Sequence, residues 1–129
     1  MSSSQPQYLT SPIIARAALP GTVDTSLTAP THVATLVASA AGPQAIFQIR
    51  MMQTATTSST SYVNLFFFDG SIYTLFDAFA LPIATISAGA EVPPIDKFYR
   101  NLDIPAGISI MATTVNVVSV GNLIAFGAN

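Results

Sequence analysis

The sequence has no cysteine, no tryptophan and one histidine, and only four basic and six acidic residues among 129. Without cysteine there is no disulfide framework, no thiol nucleophile and no thiolate metal site, and the redox compartment is left open. The lone His32 cannot supply a zinc ligand set. It also lacks the neighbours of a hydrolase, because no G-x-S-x-G elbow occurs to present an activated serine. A histidine between Pro30-Thr31 and a strand start is read as a surface residue. Arg16, Arg50, Lys97 and Arg100 are scattered, and the net charge is -2. Nucleic-acid binding depends on clustered cations that release phosphate counterions, so none is expected here.

An ordinary domain carries about 25% charged residues; this one carries 8% against 50% hydrophobic residues, and its mean hydropathy is +0.55. Solvation falls instead to 14 Thr and 13 Ser, short neutral hydroxyl side chains. The charge-free stretch from Ile104 to Asn129 raises the question of a membrane span. Pro105, Gly107, Asn116, Gly121 and Asn122 interrupt it, whereas a spanning helix needs about 20 consecutive apolar residues. A transmembrane barrel would need longer strands, aromatic girdles and an export signal. The N-terminal segment has neither a basic start nor an unbroken apolar run, so synthesis in the cytoplasm and no membrane partner are expected.

Residues 1–30 differ from the rest. Pro6, Pro12, Pro20 and Pro30 sit among Ser and Thr, which breaks helices and central strands. Tyr8, Leu9, Ile13, Ile14 and Leu19 are too many apolar anchors for an inert linker. We read an extended arm that becomes ordered on a neighbouring subunit; the alternative is a frayed terminus and a first edge strand within the same subunit.

Residues 31–129 read as one all-β domain. Short runs at Val33–Ser39, Ala45–Thr54, Tyr62–Phe68, Ile72–Phe79, Ile83–Ser87, Lys97–Asn101, Ile108–Val115 and Val117–Phe126 are separated by turn signals. About eight strands at this spacing predict a β-sandwich or small barrel of jelly-roll or Greek-key type. Asp69-Gly70-Ser71 between aromatic runs predicts a hairpin, and Pro105-Ala106-Gly107 predicts a second one through a type II turn. Asp77–Leu81 has room for one helical turn before Pro82. Both faces of Tyr62–Phe68 are largely apolar, which implies cover from another segment or another subunit.

Chemistry is sparse. Asp69 is explained by its turn, and Asp77 and Asp103 could form a glycosidase-like pair only through a tertiary contact. No calcium loop or glycine-rich phosphate loop is present. The densest charge surrounds Phe98, Tyr99 and Arg100 in the run Asp96–Asp103. Mixed charge around aromatics suits a protein contact, and the alternative is a solvated strand with paired charges.

Two stretches, IFQIRMMQTATTSSTSYVNLFFFDGSIYTLFD and LDIPAGISIMATT with the C-terminal NLIAFGAN, give the chain a resemblance to a known group. It resembles the small β-sandwich decoration, or cement, proteins of tailed-bacteriophage capsids. The resemblance implies a dimer or trimer on the outer capsid surface of the virion, with the major capsid protein and copies of itself as partners. It implies no catalytic residues and no cofactor, so no enzyme is expected. The low charge departs from an outermost layer and leaves open a more buried position in the virion. Candidate inter-subunit contacts are Tyr8, Leu9, Ile13, Ile14, Leu19, Phe98, Tyr99 and Arg100. Rival readings are a major or minor coat subunit and a carbohydrate- or receptor-binding module using Tyr73 and Tyr99.

Overall fold

Alternating β-branched, aromatic and aliphatic residues give strands, and no helix among the described residues. The computed structural model describes residues 11–89, 93–116 and 121–129. They contain β1 (Pro12–Ala18), β2 (Ala34–Val37), β3 (Gln44–Gln53), β4 (Ser61–Phe68), β5 (Tyr73–Leu81), β6 (Ile95–Ile104), β7 (Ser109–Val115) and β8 (Gly121–Ala128). Two antiparallel four-stranded sheets result, in the orders β1-β8-β3-β6 and β2-β7-β4-β5. The protein is an all-β sandwich.

The pairing has a simple logic. β1 pairs β8, β2 pairs β7, β3 pairs β6 and β4 pairs β5. The chain is therefore one long hairpin with its tip at the β4–β5 turn, and successive pairs of this doubled ribbon fall alternately in the two sheets. At the open end, Ser11 and Asn129 exchange two backbone hydrogen bonds, of 3.2 and 2.9 Å.

Inward positions repeat every second residue, as the pleat demands. Ile46, Ile49 and Met51 of β3 and Leu123 and Ala125 of β8 meet Val63, Leu65, Phe79, Leu81, Ile110 and Ala112 of the other sheet. On β4 the outward Phe66 is also fully buried. It lies beside Met111 and Leu75 in register and edge-on to Tyr73, with ring centroids 6.0 Å apart. Its cover thus comes from neighbours on the outer face of its own sheet.

Turn chemistry is local, and strand pairing is not. At the β4–β5 hairpin, Oδ1 of Asp69 accepts the N–H groups of Ser71 and Ile72 at 2.8 Å, and Gly70 takes φ +100°. The Pro105-Ala106-Gly107 turn also forms, with Gly107 at φ +84° and the Ile108 N–H donating to the Pro105 carbonyl. It is not a hairpin, because β6 pairs β3 while β7 pairs β2 and β4 in the opposite sheet. Asp77–Leu81 is strand rather than helical turn, since its inward Phe79 and Leu81 complete the core. The run 83–87 is not a strand. Pro82 ends β5, and the segment is held by backbone and side-chain bonds to Thr56 and Thr57. The last predicted strand falls at β8, and 117–120 lie outside the described residues.

The arm is corrected in part. Pro12–Ala18 is an edge strand of its own subunit, paired along its whole length with β8. Alternation of small inward residues, Ala15 and Ala17, with larger outward ones fits it against the core. Leu19 is only 4% exposed and belongs to that core, so it is no inter-subunit anchor. Tyr8 and Leu9 lie outside the described residues.

Candidate assembly surface

Strand register decides which outward side chains share a row. On the outer face of the β1-β8-β3-β6 sheet, Ile14 stands opposite Phe126, Phe126 opposite Gln48, and Gln48 opposite Phe98. Directly paired residues project on the same face, so this row crosses all four strands. Ile14 is 71% exposed and Phe98 74%. Phe47, at the β-bulge between Ile46 and Gln48, is 50% exposed. A bulge re-aims a side chain that regular pairing would bury.

The next row is Arg16, Ile124, Arg50 and Asp96. Arg50 grips Asp96 with two bonds, Nε to Oδ1 at 2.7 Å and Nη2 to Oδ2 at 3.2 Å. Gln48 adds a third bond at 3.0 Å. Arg16, at the β1 edge, makes no ion pair among the described residues. The face is therefore an apolar row flanked by a charged one. Apolar surface rimmed by polar groups is the usual character of a contact face.

Tyr99 points the other way. Its hydroxyl donates to Oδ2 of Asp77 at 2.6 Å, and Lys97 Nζ donates to Oδ1 of the same carboxylate at 2.6 Å. These bonds join β6 to β5 and close one side of the sandwich. Tyr99 packs against the core, and burial together with Asp77 drives its phenol well above the ordinary range. It is a structural residue, not an exposed contact. Arg100 is exposed on the same strand and Ile13 is half-buried on β1.

The candidate chemical groups are not assembled for catalysis. Asp77 is engaged by Lys97, Tyr99 and the Ala78 N–H. Asp103 sits exposed near the end of β6, opposite Ala45. Both Asp24 Oδ2, at 3.8 Å, and Thr31 Oγ1, at 3.2 Å, approach the same ring nitrogen of His32, Nδ1. A triad needs its carboxylate and nucleophile on opposite nitrogens. Asp24 instead organises its loop by accepting the N–H groups of Ser26, Thr31 and His32. No group of three metal-ligating side chains occurs among the described residues.

No protein-family model matches the chain, and a search of curated proteins finds no match.

The sequence reading picked out Ile14 and Phe98 but missed Phe126, Ile124 and Phe47. Each lies in a run predicted only as strand, and the register shows which side it takes. The alternation Leu123, Ala125, Gly127 against Ile124 and Phe126 was the available signal.

These carboxylates give the fold an acid limit. Bonds from the N–H groups of His32, Ser26 and Thr31 hold Asp24 below its ordinary 3.8. The Arg50 guanidinium, with help from Gln48, does so for Asp96. Burial pushes the Asp77 carboxyl up, and the bonds from Lys97 and Tyr99 overcome it, leaving it lowered. A depressed folded-state value means stability that is complete above the unfolded value and lost as pH falls through the folded one. Thermal melts should be flat from neutral pH to about 5 and fall progressively below about 4; an unchanged midpoint at pH 3 would contradict these bonds.

Proposed function

We propose that this chain is a structural virion subunit, a decoration or cement protein that seats on the outer surface of a phage capsid. There it stabilises the shell through contacts with the major capsid protein and with copies of itself. The observation that carries the reading is the outward apolar row Ile14–Phe126–Gln48–Phe98, a sheet face suited to burial against protein. The strand order 1-8-3-6 and 2-7-4-5 supports the reading of a jelly roll, an architecture shared by viral capsid proteins, lectins and cupins. Fold alone does not select among these. The inward turn of Tyr99 removes one of the two aromatics a glycan platform would use.

The same strand order also favours a second reading, a coat subunit of the shell itself. Quantitative mass spectrometry of purified particles separates the two. A fixed minority ratio to the shell protein is the expected result, one copy at every lattice position would make it the coat, and absence from particles would overturn both.

A further inference from the structure

The outer face of the β1-β8-β3-β6 sheet is complementary to itself. A two-fold axis parallel to the strands, placed between two such faces, reverses strand order and preserves position along the strands. It lays β1 over the partner's β6 and β8 over its β3. Ile14 then meets a second Phe98, Phe126 meets a second Gln48, and Arg16 meets a second Asp96, because each pair shares one register row. Apolar ends meet apolar ends, and the arginine without a partner among the described residues meets a carboxylate. The alternative axis, across the strands, would stack each edge strand on itself and bring Arg16 towards Arg16.

We propose that this face is the contact between two copies of the chain, packed sheet on sheet in an isologous dimer. The inference deepens the assembly reading and rests on it only for its biological setting. Four strands about 4.8 Å apart and about 3.3 Å per residue give the face roughly 450 Å² over seven residues. A footprint this small places the contact towards the weak, transient end of interface sizes, so the dimer dissociates on dilution.

The absence of cysteine makes the geometry directly testable. Packed sheets stand about 10 Å apart, beyond direct disulfide reach, so in the Ile14→Cys/Phe98→Cys double variant a short bifunctional thiol cross-linker is expected to yield a closed covalent dimer. The two positions within one chain are three strand spacings apart, about 14 Å, too far for an internal bridge. Either single variant alone should stay uncross-linked, and mixing the two should give a heterodimer. Sedimentation equilibrium of the wild-type chain should show reversible dimers, and Phe98→Asp should raise the dissociation constant by at least about ten-fold. Both replaced side chains are exposed, and circular dichroism checks that each variant folds.

A wild-type protein that stays monomeric into the hundreds of micromolar overturns the proposal, as does unchanged association of Phe98→Asp. Cross-linking of the Ile14→Cys single variant, or a ladder of higher oligomers from the double variant, overturns the stated axis. Particle binding by monomeric protein sinks the dimer face alone. A dimer absent from particles sinks the capsid reading alone.

Discussion

Replacing Phe79 with alanine is expected to lower stability by about 3 to 5 kcal/mol, and the melting midpoint by more than about 10 °C for a domain of this size. Phe79 is 1% exposed on β5 and lies within the core shared by both sheets. Its ring also carries the Lys97 ammonium 5.4 Å from the centroid. The truncation therefore leaves a cavity and removes a support of the Lys97–Asp77–Tyr99 clasp. Phe98→Ala is the matched control, a phenylalanine lost from an exposed position, expected within about 0.5 kcal/mol in the monomer. Denaturant titration of both variants checks the pair, and equal losses would mean that the core is misassigned.

Gly127→Ala should be as damaging, although it adds only one methyl group. A Cβ at position 127 would stand 2.0 Å from the Ala45 carbonyl oxygen and 3.0 Å from its carbonyl carbon. The obstruction is backbone of β3, which lies against β8 at the centre of the sheet. Relief requires the two central strands to move apart, so the loss should reach or exceed the upper end of overpacking costs, about 3 kcal/mol. Gly42 provides the contrast. Nothing lies within 4 Å of a Cβ there and its φ is not positive, so Gly42→Ala should be neutral or stabilising by about 0.4 to 1 kcal/mol through the unfolded chain. Soluble yield and urea midpoints of the two variants measure the difference; a Gly127→Ala protein as stable as Gly42→Ala would contradict the close approach.

What could be read from the sequence was local. Asp69-Gly70-Ser71 specifies its own turn by a side-chain acceptor and a positive φ, and the β4–β5 hairpin follows. Pro105-Ala106-Gly107 specifies a turn equally well, yet the strands it joins enter different sheets. That choice rests on which distant strand offers a complementary face, and nothing within six residues encodes it. β1 escaped for a related reason, since Pro12 and a polar setting suit an arm as well as an edge strand. Its partner β8 lies more than a hundred residues away. The assembly face was half visible: Phe98 stands among charged residues and Ile14 in a proline-broken segment, whereas Phe126 hides in an apolar run until pairing assigns its side.

The rolled hairpin also fixes the order in which the molecule can be completed. β8 is the last of these eight strands to be made, yet it lies between β1 and β3 in the finished sheet. Until it leaves the ribosome, β1 has no strand to pair with and β3 carries an open edge. Closing the sheet then brings together segments from opposite ends of the chain, at the loop-closure cost that makes such topologies slow to fold. Until then the open edges of β1 and β3 carry one charge each, Arg16 and Arg50, which offers little protection against mispairing with other copies.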